Sequence, residues 1–318
     1  MTRVFDAQET ADLLPYTALA DSIREMAFAR GSDDVQAPPR FALPLRKGGI
    51  LLVMPASDRD IAITKLVTVH PENPGRDLPT IQGEVVVMDA TTGERLGLLE
   101  GSVVTARRTA ALSMLAAREL APRPDGPLLV VGAGTQGRAH LEAFRAGLGV
   151  FRAFIASRSR ESAVSLAGHA RGLGMKAEAI EGPGEVLDDV GLIVTATTSK
   201  EPVLPEEIPD GVFVAAVGAF EPEAAELPPA LISTSRTYVD TLEGAKEEAG
   251  DLIQAEHAGA FAWENATELE AVLRSPKRPD EGVVVFKSVG HALWDLAAAR
   301  TAFVDPARKD QRSIDGPA

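Results

Sequence analysis

The 318-residue chain contains no cysteine, which excludes a disulfide framework and thiol catalysis. It is also short of positive charge. Lysine and arginine number 32 against 46 acidic residues, a formal net charge of −14. Nucleic acid and anionic membranes bind basic fields, so neither partner is expected. No apolar run reaches membrane-spanning length; LIVTAT and VFVAAVG are short enough to be buried strands. Residues 1–14 lack an apolar h-region, so no secretory signal is expected, and a soluble cytoplasmic protein is the default. The five histidines (70, 140, 169, 257, 291) lack metal-ligand spacing, so no metal is expected. No nucleophile-elbow serine or His/Asp relay stands out either.

What is present is enough apolar material, 45% of residues, for a sizeable core. Two patterns succeed one another along the chain. Residues 10–30 carry apolar positions at helical spacing. A hairpin is expected over 40–54 through Lys47-Gly48-Gly49, a strand over 61–69, and a second hairpin over 84–99. This part reads as a mainly antiparallel sheet with a helix. A helical pattern over 105–120 then stops at Pro122, Pro124 and Pro127. Beyond it, strands expected at 128–131, 151–156, 175–180, 192–197, 212–217, 237–241 and 283–286 alternate with helical segments. Such alternation means βαβ units and a doubly wound parallel sheet. The expected fold is therefore α/β: a Rossmann-type dinucleotide-binding domain over 122–289, after an antiparallel α+β domain over 1–121. A last helix, 289–302, is expected to return to that first domain, with 290–318 belonging there. The tail, 305–318, is polar and reads as loose.

The strand 128–131 runs straight into Gly132-Ala133-Gly134-Thr135-Gln136-Gly137 and a helix. Gly132 allows the tight turn, Gly134 lets backbone approach a pyrophosphate, and Gly137 permits close helix–strand contact. A dinucleotide is the expected ligand. At the end of the second strand, NAD(H) would need an acid for its ribose 2′-hydroxyl. The chain has Ser157-Arg158-Ser159-Arg160 instead, with no acid before Glu161. Arg158 can pair with a 2′-phosphate and the two serines can donate to it. NADP(H) is thus favoured, with NAD(H) as the alternative.

Two charges stand in apolar surroundings. Strand alternation places Lys65 on one face with Ile61, Ile63, Val67 and Val69. A lysine there needs a partner or a depressed pKa, and can bind a carboxylate or move a proton. Arg108 shares a helix face with Leu112 and Leu115, which suggests a fixed anion partner, although Arg107 could equally be the inward residue. Arg40, after Pro38-Pro39, reads by itself as a surface residue.

Together these stretches resemble the ornithine cyclodeaminase/mu-crystallin family. The resemblance rests on PPR (38–40), LLVMPA (51–56), TKLVTVHPEN (64–73) and VVTARRTAA (103–111). It continues through GAGTQG, TATTSKEPVL (195–204) and VFKSVGHALWDLAAA (285–299). It implies a homodimer formed through the antiparallel sheet domain. It implies that Arg40, Lys65 and Arg108 hold a substrate α-carboxylate, with Lys65 and Arg108 catalytic and Met54 and Phe220 lining the substrate. Thr109, Thr195-Ala196-Thr197, Val217-Gly218 and Ser288-Val289-Gly290 would line the cofactor, the last against its nicotinamide end. The chain departs from the pattern at Phe220, where cyclodeaminases of the family carry an Asp thought to transfer protons. Phenylalanine cannot do this. The reading is therefore an NAD(P)(H)-dependent oxidoreductase of a small α-imino or α-amino acid, such as pyrroline-2-carboxylate or piperideine-2-carboxylate. The alternatives are ornithine cyclodeaminase and a non-catalytic carboxylate-binding protein like mu-crystallin.

Overall fold

The computed structural model describes residues 2–76 and 78–304. The tail read as loose, 305–318, lies outside them. The chain divides into two compact units. Of the described residues, the first takes those up to 108 and from 292 onward, and the second residues 109–291.

The first unit opens with β1 (Arg3–Val4), α1 (Ala7–Asp12) and α2 (Tyr16–Ala29). The single helix expected over 10–30 is thus two. Pro15 has no N–H to donate and disfavours helical backbone at the preceding Leu14, so the chain restarts with Pro15 as the N-cap of α2. Next come β2 (Phe41–Pro44), β3 (Ile50–Ser57), β4 (Ile61–Val69), β5 (Ile81–Asp89) and β6 (Arg95–Glu100). Both expected hairpins form, in the sheet order β1-β6-β5-β4-β3-β2. All pairings are antiparallel except β1 with β6. The helix α3 (Gly101–Leu120) starts earlier than its apolar pattern, because Glu100 Oε2 accepts from the Val103 N–H at 2.7 Å and caps it.

The second unit alternates as expected. Its elements are β7 (Leu128–Val131), α4 (Thr135–Leu148), β8 (Arg152–Ala156), α5 (Arg160–Gly172), β9 (Lys176–Ile180), β10 (Leu192–Thr195) and β11 (Phe213–Ala216). They continue as α6 (Pro229–Thr234), β12 (Arg236–Val239), α7 (Leu242–Glu248), α8 (Gly250–His257), β13 (Ala266–Glu268), α9 (Leu269–Arg274) and β14 (Val284–Lys287). The eight strands are all parallel, in the order β13-β12-β14-β11-β10-β7-β8-β9. Every residue of β7, β10, β11 and β14 is buried, as in a sheet covered on both faces. The winding reverses between β7 and β10, the switch point where α/β sheets hold their ligands.

The last helix, α10 (Ala292–Phe303), belongs to the first unit, where it packs on α2, β3 and β4. Ala292 to Ala299 are all buried. A helix apolar on every side accounts for that burial, with one exception in its middle, Asp295.

Candidate active site

In the first unit, β4 alternates as its sequence dictates, with Ile61, Ile63, Lys65 and Val67 facing inward. Lys65 is only 3% exposed, between Met54 of β3 and Val85 of β5 in the sheet register. Its Nζ lies 2.8 Å from Asp295 Oδ2 and 3.0 Å from Oδ1, and donates to Thr105 Oγ1 at 3.3 Å. Arg108 Nε donates to the same Asp295 Oδ1 at 3.1 Å. The inward arginine of α3 is therefore Arg108. Arg107 instead donates to the Leu14 carbonyl and stacks on Tyr16.

Burial pulls Lys65 down to about 8. The positive charges of Arg108 and Arg40 push the same way, and Asp295 opposes them. Burial alone would raise Asp295, but Lys65 and Arg108 outweigh it and hold this carboxyl below its ordinary range. Arg40 is half-buried and close enough for its charge to act on Lys65. The cluster thus sets two buried cations against one carboxylate, with the charge of Arg40 nearby, an arrangement that attracts an anion. Sequence reading missed Asp295. The available signal was a lone acid inside the apolar run Ala292-Leu293-Trp294-Asp295-Leu296-Ala297.

In the second unit, the glycine turn follows β7. Gly132 has φ +110°, and an added Cβ there would run into the Ala196 carbonyl. A Cβ on Gly137 would run into the Gly132 carbonyl, whereas one on Gly134 would stand in open space. Gly134 is the N-cap of α4 and no side chain caps it, so the first-turn N–H groups can meet an anion. Gln136 Oε1 is buried without a hydrogen-bond partner. A cavity of about 500 Å³ extends from Ala133, Gly134 and Thr135 to Ser162 and Ser165 at the start of α5. These features fit a dinucleotide. Buried His140 of α4 donates from Nδ1 to the Gln136 carbonyl (2.8 Å) and accepts at Nε2 from Ser113 Oγ (3.0 Å). Burial lowers its pKa to about 4, so it is a neutral brace for the first turn.

After β8, Ser157 is half-buried while Arg158 and Ser159 are exposed. Ser159 caps α5 by accepting from the Ser162 N–H at 3.2 Å, which leaves its own O–H to donate. Thr195, Thr197 and Gly218 stand together at the ends of β10 and β11, held by a residue not foreseen as part of the site, Glu226. It accepts from Thr195 Oγ1 (3.0 Å), Thr197 N–H (2.7 Å), Thr197 Oγ1 (2.8 Å) and Gly218 N–H (2.7 Å). Burial raises the Glu226 pKa even so. Glu226 thus fixes these strand ends through both threonine side chains and the N–H groups of Thr197 and Gly218. Ala196 is half-buried beside them, and Val217 and Thr109 are buried. Asp240 fixes the turn after β14 by accepting from Ser288 Oγ (2.8 Å) and the Gly290 N–H (2.9 Å), with Val289 half-buried between them. Phe220 is 41% exposed, four residues past β11. Among the described residues no cluster of His, Asp and Glu could hold a metal ion.

Residues 2–309 match the pattern of the ornithine cyclodeaminase/mu-crystallin family. The chain belongs to that family. Among its relatives, Delta(1)-pyrroline-2-carboxylate reductase 1 of Burkholderia multivorans is 39% identical over 311 residues, 98% of both chains. The Delta(1)-pyrroline-2-carboxylate/Delta(1)-piperideine-2-carboxylate reductase of Azospirillum brasilense is 39% identical over 299 residues, 94% of both chains. Among solved structures of the family, Thermococcus litoralis Delta(1)-pyrroline-2-carboxylate reductase, in complex with NADH and L-proline, superposes with a TM-score of 0.89. It is 26% identical, over 97% of this chain and 98% of that one. The family fold is thus the two-sheet α/β architecture expected from the sequence. No helix among the described residues is long and apolar enough to cross a membrane.

Proposed function

We propose that this chain is an NAD(P)H-dependent reductase of small imino acids, with cyclic imines such as pyrroline-2-carboxylate and piperideine-2-carboxylate as its substrates. The observation that carries the reading is Lys65 and Arg108 buried on one shared carboxylate, with Arg40 adding a third positive charge. A substrate carboxylate would be taken by these cations, and Met54, the cross-strand neighbour of Lys65, would give an apolar wall. A bound reduced nicotinamide supplies the hydride that the imine carbon accepts. The imine nitrogen must gain a proton, and Lys65 is the group suited to supply it: it is held near 8, protonated at neutral pH yet ready to lose the proton. Phe220 carries no ionisable group at the end of β11, which favours reduction over cyclodeamination. Its ring suits an apolar substrate better than a second amine.

The glycine turn, the strand ends at Thr195, Ala196, Thr197, Val217 and Gly218, and the 288–290 turn would line the dinucleotide. Arg158, with Ser157 and Ser159, would receive a 2′-phosphate, so NADP(H) is the proposed cofactor ahead of NAD(H). A homodimer through the first unit's sheet belongs to the same proposal. On the outer face of that sheet Phe41, Val53 and Leu66 are cross-strand neighbours, and Phe41 is 60% exposed. The proposed compartment is the cytoplasm.

The test is NADPH oxidation across cyclic imino acids and across 2-oxo acids with ammonia or methylamine, with ornithine plus NAD as the opposing assay. Reduction of a cyclic imino acid is expected. Proline formed from ornithine without added reductant, and no imine reduction, would overturn the reading.

A further inference from the structure

Among the described residues Asp295 pairs with both candidate catalytic cations, Lys65 and Arg108, yet a buried acid on these cations competes with the substrate for them. Its geometry resolves that conflict. It engages Arg108 through Nε alone, which leaves Nη1 and Nη2, the pair that takes a carboxylate in two parallel bonds. It holds Lys65 through both oxygens at 2.8 and 3.0 Å, from a helix buried on every side.

We propose that Asp295 is a positioning residue for imino-acid reduction: it clamps Lys65 and Arg108 from the core side, orients the arginine fork toward the substrate carboxylate and keeps the lysine protonated until the proton is needed. This rests on the reductase reading above. The charged groups acting on Lys65 are Asp295 from α10, Arg108 from α3 and Arg40 from the segment before β2; its sheet neighbours Met54 and Val85 are neutral. Arginine does not give up its proton in a protein. Remove the charge of Asp295 and the only group able to relieve the repulsion is Lys65, which would release its proton at lower pH.

Asp295→Asn keeps the shape and an acceptor oxygen while removing the charge. Its kcat/KM for pyrroline-2-carboxylate should fall about tenfold at pH 7.5, with the alkaline limb moved down by about one pH unit or more. The dissociation constant for NADPH should not change. Asp295→Glu keeps the charge but displaces the clamp, so its limb should stay in place while KM rises. The second readout needs neither cofactor nor turnover. In apo protein carrying ε-labelled lysine, the Lys65 resonance should titrate at lower pH in Asp295→Asn than in the parent chain. An unmoved limb and an unmoved Lys65 titration in Asp295→Asn would overturn the proposal, as would an Asp295→Glu enzyme with parental KM. A parent chain inactive on every imine would instead overturn the reductase reading, and the lysine titration would still decide the role of Asp295.

Discussion

Each unit buries a lysine–aspartate pair, and the two pairs differ in what they leave unused. In the second unit, Lys287 Nζ lies 2.6 Å from Asp251 Oδ2 and donates to the Ala219 carbonyl at 2.6 Å. Asp251 Oδ1 accepts from the N–H groups of Glu226 and Leu227 at 2.6 and 2.8 Å. Glu226 then takes four donors from the ends of β10 and β11. One cation pairs with one carboxylate there and adds its charge to a second, Glu226; Glu226 is filled by backbone and hydroxyl donors, and Asp251 divides between the lysine and two backbone N–H groups. In the first unit, two cations meet one carboxylate, Arg40 adds its charge to Lys65, and Arg108 meets the carboxylate through Nε alone. The first arrangement is a brace that fixes strand ends; the second is a site with positive charge to offer. Burial of charge is common to both, so it does not by itself mark chemistry. Excess charge and unused donors do.

The sharpest way to break this contrast is Lys65→Ala. Loss of the proton donor and of a carboxylate ligand should lower kcat/KM about 1,000-fold or more, with NADPH binding unchanged. Retention of activity within about tenfold would remove Lys65 from the chemistry. The same lysine sets a pH dependence. It is protonated below about 8, so the parent kcat/KM should fall as pH rises through that value. The limb should be absent from the residual activity of Lys65→Ala.

Lys287→Met tests the other side. It leaves Asp251 charged, buried and without its cation, which should cost about 3–5 kcal/mol of stability. A fall in melting temperature on the order of 10 °C follows for a unit of this size. Folded protein below that transition should keep kcat within a few-fold of the parent, because Lys287 braces and does not react. A large kcat loss with no change in melting temperature would reverse the roles assigned to the two lysines.

The same contrast explains what the sequence could disclose. Periodicity of two placed Lys65 on an apolar face, and periodicity of 3.6 narrowed the inward arginine to Arg108 or Arg107, since both signals are local. Most strands of both sheets were legible from local patterns too, but the short edge strands β1 and β13 were not, since two or three residues carry no period. The partner of both cations was not. Asp295 lies 230 residues from Lys65, and no local rule pairs them. Asp240 and Asp251 were equally silent, because each accepts from backbone N–H groups brought near by the parallel crossovers. Pro15, by contrast, is a local signal: it divides the first helix, and the apolar spacing across it masked a stop that proline chemistry predicts.

The smallest effect concerns a cation exposed to solvent. If buried charge in the second unit is bracing, the charge that meets a ligand there should be an exposed one, and Arg158 at the end of β8 is the candidate. Arg158→Ala removes a charge-assisted bond to a 2′-phosphate, so the KM for NADPH should rise about tenfold while that for NADH barely moves. Stability should be unchanged, since an exposed side chain with no structural bond leaves nothing unpaired. Raising salt should weaken NADPH binding in the parent and much less in the variant, because an exposed ion pair is screened. Equal KM changes for both cofactors would place Arg158 outside the 2′-phosphate pocket and leave the choice between NADPH and NADH to the serines beside it.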